Sequence, residues 1–250
     1  MRNEKRVAVI IPARNEEAAI ARVIADIPPW VDEVVVADNG SRDATASRAL
    51  AAGARVVHER VPGYGAACLA GIAAVGAADI IVFLDGDYSD YPAQMERLVD
   101  PVACGKADLV IGSRVLGKAR AGSLTPQQRF GNALATLLIR FVWGMRYTDL
   151  GPFRAISAAG LIRLEMADRD FGWTVEMQIR AIEEGLRITE VPVSYRSRIG
   201  SSKISGTIKG SVLAGSKILY VIARHAARST ARPARASGEQ RPAAARRSAR

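Results

Sequence analysis

The feature that most constrains this chain is the alternation, over its first 114 residues, of unbroken apolar runs with stretches of helical spacing. KRVAVIIP, DEVVVAD, RVVHE, IIVFL and DLVIGS read as strands. A strand that is apolar at every position, not at every second one, is buried on both faces. Between these runs, Glu16 to Ile27, Asp43 to Ala52, Ala66 to Ala74 and Ala93 to Ala103 carry helical spacing. Such βαβα order predicts an α/β fold with a mostly parallel sheet flanked by helices. Ligands of such sheets bind beyond the carboxyl ends of the strands. Each strand here ends on a polar signal: RNEE, DNGSRD, PGYG, DGD and GSR in turn.

The fourth of these signals is the most informative. In IIVFLDGDYSDYP, Asp85 and Asp87 flank a glycine at the end of a strand that reads as fully buried. Two carboxylates so close repel each other unless a cation lies between them. Hard oxygen ligands in a loop suit Mg²⁺ or Mn²⁺, and Mg²⁺ takes one or two carboxylates plus substrate phosphates. Helix capping is the competing explanation. It suits Asp90, just ahead of Pro92, and leaves Asp85 unexplained. Asp38, after VVVA, sits where a carboxylate could accept hydrogen bonds from a ribose or a base imide. Asn39, Gly40 and Ser41 then supply turn chemistry, and Asp43 caps a helix starting at Ala44. Gly63 and Gly65 resemble a phosphate-approach loop. There is no G-x-x-x-x-G-K-[ST], and no G-x-G-x-x-G follows the first strand, which disfavours a P-loop NTPase or a Rossmann dehydrogenase.

After Arg114 the pattern changes. In QRFGNALATLLIRFVWGM, Arg129, Asn132, Thr136 and Arg140 share one helical face, while Phe130, Leu134, Leu137, Phe141 and Met145 share the other. In TIKGSVLAGSKILYVIAR, Ile208, Val212, Leu219 and Ile222 oppose Lys209, Ser216 and Arg224. Either amphipathic helix could lie in a bilayer interface or simply cover the sheet. No run of about 18 apolar residues exists, so no transmembrane helix is expected, and MRNEKR leads straight into the first strand without an apolar signal segment. Residues 226–250 hold seven Arg and one Glu, +6 of the net +10. That Ala/Pro/Ser/Arg-rich stretch has no apolar periodicity and reads as a disordered basic tail after a folded unit of residues 1–225. Its candidate roles are attraction to an anionic membrane surface, solubility alone, or polyanion binding. The body lacks the interleaved aromatics of a nucleic-acid platform, so no specific nucleic acid is expected. With 49% hydrophobic residues the chain can bury a sizeable core. Cys68 and Cys104, far apart and with no ligand set nearby, read as reduced core thiols of a cytosolic protein.

Taken in order, VIIPARNEE, VVVADNGSRDAT, PGYGAA, IIVFLDGDYSDYP and VIGSR resemble a family 2 glycosyltransferase with the GT-A fold. The later QRFGNALATLL, DLGPFRA, GWTVEMQIRA and ITEVPVSYRSRIGSSKIS resemble its dolichyl- or polyprenyl-phosphate mannose and glucose synthase branch, and the likeness spans about residues 5–225. The resemblance implies a hexose transferred, with inversion, from a nucleotide sugar such as UDP-glucose or GDP-mannose to polyprenyl phosphate at the cytoplasmic membrane face. It implies that Pro12, Asn15, Glu16 and Asp38 line a nucleoside pocket and that Asp85 and Asp87 place a divalent metal on the donor diphosphate. Arg114, Arg129 and Asn132 would hold phosphate. Arg198, Ser202 and Lys203 would close over donor and acceptor. Two departures stand out: Ser89 and Asp90 occupy positions where Gln and His are common, and DLGPFRA replaces the more usual s-G-F-R.

Charge inventory agrees with a phosphate acceptor. A phosphate monoester, with a second pKa of about 6, is already ionised near neutral pH and needs no general base. It needs cations, and Arg114, Arg129, Arg154, Arg198 and Lys203 supply them. A sugar-hydroxyl acceptor, on a cell-envelope glycan or glycolipid, would require a base, for which Glu176 and Asp149 are the candidates. The competing roles are an exposed helix position or an i, i+4 pair with Arg180 for Glu176 and an ion pair with Asp149 for Arg154. A nucleotide-sugar pyrophosphorylase lacks its Gly-rich first loop here. A non-enzymatic basic polyanion-binding protein remains the reading if the acids prove structural.

Overall fold

The computed structural model describes residues 1–117, 119–120, 122–200 and 208–231. Seven strands form one sheet: β1 (Val7–Ala13), β2 (Glu33–Asp38), β3 (Arg55–His58), β4 (Ile80–Phe83), β5 (Leu109–Ser113), β6 (Arg154–Ser157) and β7 (Ile188–Pro192). Their order is β3-β2-β1-β4-β6-β5-β7. All pairings are parallel except those of β6, which runs antiparallel between β4 and β5.

The apolar runs sort by pleat. Val7, Val9 and Ile11 of β1 face one core, with Ile20 and Val23 of α1 (Ile20–Ala25) and Leu98 and Val99 of α4 (Glu96–Ala103). Ala8 and Ile10 face the other, with Cys68 of α3 (Tyr64–Ala74), Ile139 of α5 (Pro126–Trp143), Leu161 of α6 (Ala158–Leu164) and Trp173 and Met177 of α7 (Trp173–Glu183). α2 (Thr45–Ala51) completes the first layer, packing on α1, and α8 (Ile208–Ala231) completes the second, packing on α5 and α7. Burial on both pleat faces is why these strands could be uniformly apolar.

Several expectations are corrected here. α8 continues to Ala231, past the expected tail boundary at 226, so the tail proper lies outside the described residues. Cys68 is buried, but Cys104 is exposed. The paired glycines answer to packing: a Cβ on Gly63 or Gly65 would lie 2.0 Å from the carbonyl oxygen of Arg169 or Asp168. α5 meets the core through Ala135, Thr136 and Ile139, not through the expected apolar face. Thr136 of its polar face is buried, whereas Phe130 (71% exposed), Leu137 (59%) and Phe141 (88%) point outward.

Candidate active site

In a sheet ordered β3-β2-β1-β4, successive connections leave β1 in opposite directions, and a crevice opens at the carboxyl ends of β1 and β4. A cavity of about 380 Å³ lies there, lined by Pro12 at the end of β1 and Glu16 after it, Asn39 after β2, and Asp85 and Asp87 after β4. Arg198 closes one side, and Asp170 with Phe171 another.

The acidic loop is held from several directions. Asp87 accepts from the Ser89 N–H (2.9 Å) and hydroxyl (2.5 Å). Tyr88 sits in the left-handed region (φ 65°), a conformation that non-glycine residues adopt only when their surroundings enforce it. Arg196 provides that enforcement. Its guanidinium stacks 3.3 Å from the Tyr88 ring and 4.3 Å from that of Tyr91, and donates to the carbonyls of Tyr88 (2.6 Å) and Asp90 (3.2 Å). Tyr64, at the start of α3, donates its hydroxyl to Asp85 Oδ1 (3.1 Å). Neither Arg196 nor Tyr64 was singled out by the sequence. The signal available for Arg196 was its spacing, two residues before Arg198 in RSR.

The surrounding protein and the neighbouring Asp87 push the Asp85 carboxyl up to about 7. Asp90 is fully enclosed. Burial, then Asp85 and Asp87, raise its pKa, and neither of its carboxyl oxygens has a hydrogen-bond partner among the described residues. It does not cap: the 3-10 turn Pro92–Gln94 has Tyr91 at its N-cap and no side-chain capping bond. Three carboxyl groups thus crowd one loop, two of them, Asp85 and Asp87, lining the cavity. Among the described residues no group of three or more His, Cys, Asp or Glu is arranged to hold a metal by itself. A two-carboxylate site completed by ligand phosphates is the arrangement that remains.

Other candidates divide by location. Asn15, also left-handed (φ 51°), accepts from the Arg42 N–H (2.8 Å) and so joins the β1 and β2 loops. Asp38, paired in register with Ala13, accepts from the Ser41 N–H (3.3 Å) and lies 3.2 Å from His58 Nδ1. Asn39 does more than turn the chain: its side chain donates to the Glu59 and Val61 carbonyls and accepts from Gly63 N–H, bracing the PGYG loop.

A second, open groove of about 800 Å³ runs beside α5, lined by Arg114, Arg129, Asn132, Arg140, Arg146 and Asp149, among others. Arg114 pairs bidentately with Asp149 (2.7 Å twice) and lies 5.1 Å from the Tyr195 ring. Burial works against its charge, but the bonds to Asp149 outweigh that and raise its pKa. Asn132 donates to the Thr148 carbonyl (2.9 Å) and accepts from Leu150 N–H (2.8 Å). Arg129, Arg140 and Arg146 make no ion pair among the described residues.

Two further candidates are corrected. Arg154, fully buried on β6, lines neither the cavity nor the groove and makes no ion pair with Asp149 among the described residues. It donates to the carbonyls of Leu150, Gly151 and Thr174, and burial lowers its pKa. Glu176 is fully buried too. It accepts from Ala167 and Asp168 N–H, and its other oxygen faces Arg180 (3.3 Å) and Arg224 (3.5 Å). The Arg180-paired alternative for Glu176 is the one observed. A carboxylate so saturated has no free lone pair aimed at a substrate. Asp149, the other candidate base, is locked to Arg114. Ser202 and Lys203 lie outside the described residues.

A switch-point cavity with an acidic pair, next to a cationic groove, defines an α/β enzyme domain suited to phosphorylated ligands. Residues 8–167 match Glycosyl transferase family 2, and the chain belongs to that family, with the GT-A architecture. It is 37% identical over 210 residues to an uncharacterized glycosyltransferase of Mycobacterium tuberculosis, covering 83% of this chain and 94% of the relative. It is 31% identical over 220 residues to the undecaprenyl-phosphate mannosyltransferase of Micrococcus luteus, covering 82% and 90%. Among solved structures it is similar to glucosyl-3-phosphoglycerate synthase of M. tuberculosis, crystallised with Mn²⁺, UDP-glucose and phosphoglyceric acid. That likeness has a TM-score of 0.74 at 26% identity and covers 90% of this chain and 80% of the other. The same enzyme has also been crystallised with Mg²⁺ and UDP.

Proposed function

We propose that this glycosyltransferase moves a hexose, glucose or mannose, from a nucleotide sugar to a polyprenyl phosphate, with inversion and with a divalent metal at Asp85 and Asp87. The observation that carries the reading is the charge of the α5 groove. Three arginines there have no ion pair among the described residues, and Asp149, the one carboxylate among the described residues lining the groove, is occupied by Arg114. Such a groove attracts an ionised acceptor and offers no base to deprotonate a hydroxyl. The mannosyltransferase of M. luteus, named for undecaprenyl phosphate, supports the same acceptor class.

On this reading, Pro12 and Glu16 form the nucleoside wall, with Asp38 and Asn15 shaping it from behind. Asp85 and Asp87 hold Mg²⁺ or Mn²⁺, which when bound offsets charge developing on the leaving diphosphate. Arg198 adds a second positive charge on the cavity side. Arg129 orients the acceptor phosphate so that its oxygen attacks the anomeric carbon as the bond to the diphosphate breaks. Arg114, fixed by Asp149, contributes fixed positive potential between the two sites. Arg129→Ala therefore raises the KM for a short polyprenyl phosphate about tenfold or more, an effect of the size expected for one charged contact, and leaves the donor KM within about twofold. Steady-state kinetics with each substrate varied separately checks this, and an equal rise in both would argue against an acceptor role.

The acceptor is lipidic, so a membrane face is needed. No helix among the described residues is long and apolar enough to cross a bilayer. The outward side of α5 (Phe130, Leu137, Phe141) and exposed Val212, Leu213 and Tyr220 of α8 supply apolar surface on two packed helices. The arginines of the groove and the basic residues after 231 complement an anionic leaflet on the cytoplasmic side. Leu137→Glu with Phe141→Glu cuts partition into vesicles with 30% anionic lipid by about tenfold or more. Cosedimentation reads it, and unchanged partition would remove this face from the mechanism.

A further inference from the structure

Arg198 occupies an unusual position for a residue meant to hold substrate. Its Nη2 lies 3.1 Å from Asp87 Oδ2 and 3.1 Å from Glu16 Oε1, so one guanidinium bridges the acidic loop of β4 and the loop after β1. Its backbone does not depend on that bridge. The Ile199 N–H donates to the Asp87 carbonyl (2.9 Å), and the Arg196 N–H donates to the Ser89 carbonyl (2.9 Å), which pins residues 196–199 along the acidic loop. The side chain is the movable part. Its Nε is buried with no hydrogen-bond partner among the described residues, so the present pose leaves one donor unused.

The geometry points to Arg198 as a stand-in counter-ion that competes with a divalent cation for Asp87. The inference rests on reading Asp85 and Asp87 as a metal site and adds a regulatory property to it. A cation held by Asp87 would meet the Arg198 guanidinium, 3.1 Å from the same carboxylate, and two positive charges that close repel. That repulsion would drive Arg198 off Asp87 when a cation arrives. Once released, it needs a new anion, and a nucleotide diphosphate in the same cavity supplies one while also giving Nε a partner. Without nucleotide, Arg198 opposes cation binding; with nucleotide, the opposition becomes support. Cation and donor would then each strengthen the other's binding.

Mn²⁺ binding to the full chain, read from the free Mn²⁺ electron paramagnetic resonance signal with and without UDP or GDP, tests this without any turnover. Arg198→Gln is expected to tighten Mn²⁺ binding in the absence of nucleotide by about tenfold or more. In the same variant, the gain in Mn²⁺ affinity on adding nucleoside diphosphate should shrink by at least the same factor. Arg198→Lys, which keeps the charge, should stay within about threefold of wild type in both measurements, and Arg198→Met should repeat the Gln result. Unchanged or weaker Mn²⁺ binding by the Gln and Met variants would overturn the inference while leaving the metal site in place. Absence of Mn²⁺ binding to wild type, even with nucleotide, would overturn the metal reading itself and this inference with it.

Discussion

Asp87→Ala abolishes sugar transfer, lowering kcat/KM by about 10³-fold or more, and leaves the thermal midpoint within a few degrees of wild type. The size follows from the role: removing one electrostatic contact that matters mainly in the transition state costs about 10²–10³ in rate, and loss of a charged metal ligand adds to that. The small stability effect follows from the structure. Asp87 is one of three acids on a crowded loop, so neutralising it relieves repulsion on Asp85 and Asp90 even as bonds to Ser89 and Arg198 are lost. Activity with rising Mg²⁺ or Mn²⁺, alongside a thermal melt, measures both. Wild-type turnover of the variant in excess metal would refute the metal assignment.

Glu176→Ala has the opposite profile: about 3–5 kcal/mol of stability is lost, or roughly 10 °C in the midpoint, while the folded fraction keeps its specific activity. The substitution strands two N–H groups at Ala167 and Asp168 and removes the carboxylate that faces Arg180 and Arg224. Because Arg180 and Arg224 reach Glu176 from α7 and α8, the loss also loosens α8, which carries part of the exposed apolar face. Glu176→Gln keeps the shape and one set of acceptor contacts and should lose less. Thermal melts with single-turnover transfer at low temperature separate the two effects. A well-folded Glu176→Gln with transfer down 10³-fold would restore the general-base role.

What could be read from the sequence follows from what each segment buries. β1, β2, β4 and β5 were legible because helices cover both their faces, so nearly every position is apolar. β6 was not. RAIS is four residues long, begins with an arginine, and follows a loop, so neither length nor pattern marked it. Only its place between β4 and β5 makes Arg154 a core residue, caged by carbonyls that come from Leu150, Gly151 and Thr174. β7, ITEVP, is partly exposed along its length and gives no clean alternation.

Side-chain partners were less legible than strands, because they depend on contacts between residues distant in the chain. Local spacing pairs Asp149 with Arg154, five residues away, yet Arg114 takes it from 35 residues away. The acidic pair itself was readable, since nothing else in IIVFLDGDYSDYP accounts for Asp85. The arginine that faces Asp87 was readable only through the family resemblance. α5 shows the same limit in another form: its amphipathic pattern was plain, but the side that met the core carries Ala135, Thr136 and Ile139, and Phe130, Leu137 and Phe141 ended outside.

The most direct measurement is a donor panel: radiolabelled UDP-glucose, GDP-mannose and other nucleotide sugars, each incubated with the full chain, Mg²⁺ or Mn²⁺ and a short-chain polyprenyl phosphate. Label should pass into the organic phase from one donor, as a glycosyl phosphate cleaved by mild acid, and Asp87→Ala should give none. Label that appears only on a soluble or hydroxyl acceptor, with polyprenyl phosphate inert under every donor, would contradict the account.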